Sequence, residues 1–203
     1  ADVFGFLGGR RQAAGLSAIG VQPDGVCLVR AQIEGGRRPR ISAWDFRSIK
    51  PDQPADKALA GLARDYDLKH ARCTTVLDEN DYKLLLTEAP DVARDELKAA
   101  VRWRIKDLID FHINDATLDV FDLPGADTGA KAREMYVIAA RNQAIQKRVD
   151  LLDAAGINLD VIDIQELAQR NIAALLPEDV NGVALLSLQE HAGLITITRQ
   201  GQL

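Results

Sequence analysis

At 203 residues, 47% of them hydrophobic, the chain carries enough apolar material for one sizeable core or two small ones and belongs with globular proteins. A formal net charge of -5, with no long block of like charge, excludes a nucleic-acid binder driven by bulk electrostatics. No apolar run approaches a bilayer span, and the apolar start at Phe4 to Leu7 is cut at once by Gly8, Gly9, Arg10 and Arg11, so neither a membrane helix nor a signal-peptide core is read and a cytosolic protein is expected.

Leu16 to Val21 and Val26 to Ile33 read as two strands joined by the turn residues Gln22, Pro23, Asp24 and Gly25. After a Gly35–Gly36 turn, Ile41 to Arg47 alternates with Trp44 and Phe46 on one face and adds a third strand. Arg37, Arg38 and Arg40 beside that turn read as its solvated flank. Pro54 suits the first turn of a helix whose Leu59, Leu62, Ala63 and Tyr66 recur at helical spacing, and Arg72 to Leu77 forms the next strand. The strongest helix pattern runs from Asp91 to Ile109, with Leu97, Val101, Ile105 and Leu108 as one stripe and Asp91, Asp95 and Glu96 near its positive end. Thr117 to Leu123 and Met135 to Ala140 read as strands joined by the loop Gly125 to Lys131. Asn142 is placed to cap a helix with Ile145, Val149 and Leu152 on its buried face, and Gly156 ends it. Ile157 to Ile164 is extended, Gln165 to Leu176 helical up to Pro177, and Val183 to Gln189 with Leu194 to Thr198 make a second hairpin.

Cys27 and Cys73 lie inside strand patterns, where a free thiol behaves as a small hydrophobe, and two cysteines give neither a disulfide framework nor a metal spacing. His70, His112 and His191 are scattered, with no carboxylate or thiol at ligand spacing, so no metal is assigned. There is no G-x-S-x-G, no Walker lysine loop and no dinucleotide fingerprint; Leu7 to Arg11 lacks the preceding strand and the spacing. An unrelated α/β enzyme is therefore the weakest of three functional classes, and no catalytic residue, cofactor or metal ligand is assigned.

The two stronger classes rest on a resemblance. Arg102-Trp103 in the central helix, Asp110-Phe111-His112-Ile113 after it, Ala139-Ala140-Arg141 ending a strand, and Ala155-Gly156 before Asp160-Val161-Ile162-Asp163 fall in the order of the PilM family of type IV pilus assembly proteins, especially its MshI-like branch. The resemblance implies an α/β, actin-like (ribonuclease H-like) lobe with an inserted FtsA-style subdomain. Residues 1–77 and 160–203 would form the first lobe plus the start of the second, and 78–159 the insertion. The sheet and helices that complete the second lobe in the family come after Leu203, so that lobe is expected to be largely missing, either because the chain is a fragment or because it is naturally short.

The resemblance also makes the echo between the two hairpins meaningful, because actin-like proteins open each half on a hairpin that wraps the nucleotide phosphates. Ala18 to Arg30 and Leu185 to Arg199 share an apolar strand, a Gln at one offset (Gln22 and Gln189), a polar turn and a second apolar strand. A working loop needs Asp-hydrophobic-Gly-small-small: the Asp for hydrated magnesium, the Gly and small residues so that backbone N–H groups approach the phosphates. Here the Asp positions are Gly20 and Ser187 and the Gly positions Gln22 and Gln189. Pro23 supplies no N–H, and Glu190 would repel phosphate. Asp163, followed by Gln165 and Glu166, is read as a strand-end residue capping the Gln165 helix rather than as a relic of the water-positioning region. The expected protein is thus a non-catalytic cytoplasmic scaffold of a type IV or MSHA-like pilus assembly complex, recruited to the inner membrane by the N-terminal peptide of a PilN-like bitopic protein. An active actin-like ATPase of the same machinery is the alternative. In the family a short aliphatic and aromatic peptide docks in a groove between the first lobe and the insertion, which makes Trp103 and the surface near Phe111 the expected partner-binding residues.

Overall fold

The computed structural model describes residues 15–33, 38–50, 53–122, 133–188 and 192–203. The Gly35–Gly36 turn, the Gly125 to Lys131 loop, Leu7 to Arg11, and Gln189 and Glu190 lie outside them. In chain order the elements are β1 (Leu16–Gln22), β2 (Gly25–Gln32), β3 (Arg40–Ser48), α1 (Asp56–Asp65), β4 (Arg72–Val76), β5 (Tyr82–Glu88), α2 (Leu97–Ile105), β6 (Ala116–Asp122), β7 (Glu134–Arg141), α3 (Asn142–Ala154), β8 (Leu159–Asp163), α4 (Gln165–Ala173), β9 (Val183–Leu188) and β10 (Gly193–Thr198).

By packing, the chain divides into residues 1–75 with 151–161 and residues 76–150 with 162–203. The division expected from the resemblance, 1–77 with 160–203 and 78–159, follows the family's lobes and is drawn on a different basis from packing. The physical reason for the observed grouping is a shared core: Ile164 and Leu167, at the start of α4, pack with Leu77, Tyr82 and Ala140.

The first unit is organised by the sheet order β3-β2-β1-β4-β8. β1 and β2 close as a tight antiparallel hairpin, pairing Gln22 with Gly25, so Pro23 and Asp24 alone make the turn. β1 then runs parallel to β4, with Leu16 opposite Arg72. One sheet face buries Ile19, Val26, Leu28 and Cys73 against Leu59 and Leu62 of α1, with Leu152 and Ile157 closing the cluster. Each fully buried Leu or Ile of this kind contributes about 1.5–3 kcal/mol relative to exposure. Burial pushes the Cys73 thiol up to about 11, which suits an inert core thiol.

The second unit holds a three-stranded sheet in the order β5-β7-β6, covered on one face by α2 through Leu97, Val101 and Ile105 against Met135, Val137, Ala139 and Leu118. β5 is absent from the sequence reading. Its Leu84-Leu85-Leu86 run does not alternate, because Leu85 faces the α2 cluster, Leu84 faces the cluster around Tyr82 and Ile164, and Leu86 is half exposed. A second small sheet pairs β9 with β10 and rests on α4, tied by Thr196 Oγ1 donating to Gln169 Oε1 at 2.8 Å. Asp179 fixes its far end: one carboxylate oxygen accepts from Thr198 Oγ1 at 2.8 Å and the other from the Gly201 N–H.

Three helix expectations change. α2 is shorter than Asp91 to Ile109, because Val92 and Glu96 are held in turns by the carbonyls of Pro90 and Ala93. Leu108 therefore leaves the buried stripe and is 57% exposed, and Asp91 and Asp95 lie outside the first helical turn. On α3 the inward position is Arg148, not Val149: the Arg148 stem is buried and its Nη2 reaches Asp78 Oδ2 at 3.2 Å, while Val149 is exposed. α4 stops at Ala173, and Pro177 opens a separate 3-10 turn, Pro177–Val180. Gly156 does end α3's segment with φ +75, a left-handed conformation that suits glycine.

Candidate partner-binding surface

Because α2 spends Leu97, Val101 and Ile105 on the core, a 3.6-residue repeat turns Trp103 away from it. Trp103 is 74% exposed. Its ring is visited by Lys106 Nζ, 5.9 Å from the centroid, a contact that at exposed sites is worth about 0.5–1 kcal/mol. Arg102, next to it, is engaged within the fold: its guanidinium donates to the carbonyls of Ile113 and Ala116 and fastens the segment that follows α2.

Phe111 lies on that following segment, partly buried against the α2 cluster. Its other face is covered by the Arg141 guanidinium, 4.3 Å from the ring centroid. Asp110 holds that arginine at 3.2 Å and also meets Lys83 Nζ at 3.8 Å. The two expected site residues therefore play different parts. Trp103 is an uncovered apolar surface, whereas Phe111 is a core-edge ring under a tethered cation. The two rings make no ring contact with each other.

The first hairpin carries two features that bear on nucleotide chemistry. Gly20 faces Cys27 across the ladder, and a Cβ at Gly20 would meet Cys27 Sγ at 2.5 Å. An Asp side chain at this position would thus have to displace the thiol. In the turn, Pro23 offers no N–H, and the Asp24 carbonyl is taken by the Ile49 N–H at 2.8 Å. Ser187 sits in β9 opposite Leu194; the residues that follow it in the second loop lie outside the described ones.

Asp163 does not cap α4. Ile164 is the residue at the cap position, without a side-chain cap bond, and Asp163 Oδ1 accepts from the Ile164 N–H at 2.8 Å instead. The strand carries the carboxylate inward, and burial pushes its pKa up, the Ile164 N–H and Arg170 opposing. Glu166 is engaged as well: Tyr82 donates to its Oε2 at 2.6 Å, and burial, then this bond, push the phenol well up.

Residues that sequence reasoning missed cluster on β5, β6 and β7. The register aligns Leu86 with Tyr136 and Tyr136 with Phe121, the two aromatic centroids being 5.2 Å apart. The Tyr136 hydroxyl donates to the Leu203 carbonyl at 3.3 Å. The signal was the Tyr82 to Glu88 run itself. No helix among the described residues is long and apolar enough to cross a membrane.

Comparison with known proteins places this arrangement. The chain superposes on a protein of the PilM–PilN type IV pilus biogenesis complex with a TM-score of 0.62 at 21% identity, over 92% of this chain and 62% of that one. It superposes on the cytoplasmic domain of EpsL, an inner-membrane component of the Vibrio cholerae type II secretion system, with a TM-score of 0.61 at 13% identity, over 92% and 68%. A Bacteroides thetaiotaomicron protein with an actin-like ATPase fold gives 0.51 at 7%, over 95% and 68%. At these identities the likeness is one of fold, and the chain spans about 62% of the PilM–PilN relative's length. Comparison with curated protein sequences found no match. The family model described as type IV pilus assembly protein PilM matches residues 85–203, more than half of the sequence, and includes α2, Phe111, Arg141 and the second hairpin: the chain belongs to the PilM family and has the actin-like ATPase fold over part of its relatives' length.

Proposed function

We propose that this chain is a non-catalytic scaffold of a type IV or MSHA-like pilus assembly complex, working on the cytoplasmic side and held at the inner membrane by the N-terminal peptide of a PilN-like bitopic protein. The role in pilus assembly is supported by family membership. The observation that carries the non-catalytic reading is the first hairpin, where the magnesium-directed carboxylate is replaced by Gly20 packed on Cys27 and the phosphate-facing turn is closed by Pro23. A triphosphate needs a cation and converging N–H donors, and this loop supplies neither group at those positions. In this reading residues 78–159, with the β5-β7-β6 sheet and α2, are the inserted FtsA-style subdomain, and Trp103 or the adjoining surface near Phe111 is the wall on which the partner peptide docks. The surface supports that assignment because Trp103 is large and exposed on α2, a residue type enriched among interface anchors. An active ATPase remains the competing reading.

Two measurements separate these. Calorimetric titration with magnesium and a non-hydrolysable ATP analogue should give no saturable heat; micromolar binding would overturn the non-catalytic reading. A synthetic N-terminal peptide of a PilN-like protein should bind the chain, and failure to bind would remove the recruitment reading while leaving the family assignment in place.

A further inference from the structure

α4 starts without help from its own segment. The first N–H groups of a helix need acceptors from outside it, and a polar side chain at the cap position is the usual source. Here that position holds Ile164, extended and with no side-chain bond to the helix. Asp163, one residue earlier, spends a carboxylate oxygen on the Ile164 N–H. The missing group comes from another element. Tyr82 of β5 is buried among Leu77, Ala140 and Ile164, and its hydroxyl reaches the start of α4. The O–H donates to Glu166 Oε2 at 2.6 Å, while the Gln165 N–H points at the same oxygen. A bond to a carboxylate is roughly twice as strong as one between neutral groups. Glu166 lies in the first turn, where the helix dipole favours its charge.

What this bond holds follows from how little else joins the same parts. α4 carries the β9-β10 hairpin through Gln169 and Thr196. Among the described residues from Ile164 onward, only Ile164 and Leu167 belong to the clusters packed on the β5-β7-β6 sheet, and both lie at the start of α4. No described residue of β9 or β10 belongs to them. The other tie is the longer bond from the Tyr136 hydroxyl to the Leu203 carbonyl, 3.3 Å. A body attached mainly at one end opens as a unit, at a lower free energy than the whole fold. We propose that Tyr82 is a latch: its hydroxyl caps α4 from β5, and this bond controls whether α4 and the β9-β10 hairpin stay fastened to the β5-β7-β6 sheet or open as a unit apart from it. Asp163 makes release more than the loss of one bond, because it is a like-charged neighbour of Glu166 and pushes on that carboxylate once the phenol no longer holds it. The latch lies within the second unit and uses neither Trp103 nor Phe111.

Native-state amide hydrogen exchange on the whole chain tests the inference. Tyr82→Phe keeps the ring in its cluster and removes only the hydroxyl. It should speed exchange in α4, β9 and β10 by about tenfold or more, while the amides of α2, β6 and β7 change by less than about twofold. Glu166→Gln keeps an acceptor for the phenol without the charge, so it should speed the same amides by a smaller factor. Combined with Tyr82→Phe it should add nothing, since the interaction is already gone. Glu166→Gln alone carries the test if Tyr82→Phe does not fold. Faster exchange spread equally over α2, β6 and β7 would show that the bond supports the whole unit and latches no part of it. Unchanged exchange in α4 and the hairpin, or effects of the two substitutions that simply add, would equally overturn the inference.

Discussion

Replacing Trp103 by alanine separates a docking residue from a core residue, and the structure fixes the size of the effect expected in each case. The ring is 74% exposed, so little burial is lost. The Lys106 contact removes about 0.5–1 kcal/mol at most. Alanine returns up to about 0.7 kcal/mol in helix propensity at an exposed position of α2. The net change in stability should therefore lie within about 0.5 kcal/mol of zero, a shift of no more than about 2 °C in Tm for a chain of this length. Ile105→Ala is the internal contrast, since Ile105 is fully buried against β6 and β7; truncating it should cost about 2–5 kcal/mol. Binding should respond in the opposite order. If Trp103 anchors a PilN-like peptide, its removal should cost at least about 2 kcal/mol, a loss of about thirtyfold in Kd. Thermal melts followed by circular dichroism and titration with the synthetic peptide measure both quantities on the same preparations. A Trp103→Ala protein that melts as low as Ile105→Ala would show that the ring is structural, and one that binds the peptide as the parent does would show that docking takes place elsewhere.

Gly20→Asp, made to restore the missing carboxylate, should leave nucleotide binding absent and cost about 1–3 kcal/mol by overpacking Cys27; saturable heat with the magnesium-analogue complex would contradict the reading of the hairpin. Because burial raises the Asp163 pKa above its ordinary 3.8, the folded state holds that proton more tightly than the unfolded one. Its carboxylate thus opposes folding at neutral pH and ceases to do so as the pH falls below 3.8. Asp163→Asn keeps an acceptor for the Ile164 N–H, so its Tm should exceed the parent's at pH 7, and the difference should close on acidification; a lower Tm at pH 7 would refute the desolvation argument. Asp179→Ala should cost about 2–4 kcal/mol, because it strands the Thr198 hydroxyl and the Gly201 N–H together; chemical denaturation measures this, and a loss under about 1 kcal/mol would show that water replaces the carboxylate.

The legible parts of the fold were those in which one physical signal acts alone. The first hairpin is fixed by Pro23-Asp24 between apolar runs, and α3 ends where Gly156 takes a positive φ. Leu97, Val101 and Ile105 were readable because a helix covered on one side keeps its period. β5 was hidden for the converse reason: Leu84 and Leu85 pack into different clusters on opposite faces, so its apolar run shows no alternation. Arg148 was hidden because hydropathy treats arginine as surface, whereas here its stem fills the inward position of α3 and Asp78 receives its head. Asp163 looked like a helix cap by spacing, yet its side chain is already used by the N–H of the next residue. Of the expected site, Trp103 was identifiable as flanking the α2 stripe, but its degree of exposure depends on where α2 stops, and that is set by backbone turns before Leu97 and after Ile105 which no periodicity records.

The same reasoning explains why a departure from a nucleotide-loop pattern is readable one residue at a time while a docking surface is not. A phosphate-binding turn demands particular residues at particular positions, so Gly20 and Pro23 speak for themselves. An exposed Trp44 or Trp103 demands nothing of its neighbours; it becomes informative only once topology shows that β3 is an edge and that α2 buries its other face. Trp44 and Trp103 also differ in what surrounds them. Trp103 carries its own cation in Lys106, so a docking peptide needs no charge of its own there and the contact rests on apolar fit. Trp44 stands on β3, opposite Val29, on the sheet face away from the ion pairs of Arg47 with Asp45 and Asp65. Peptide binding at Trp103 should therefore be nearly insensitive to salt. A binding constant that falls steeply with salt would place the contact on charged groups instead of on the Trp103 ring.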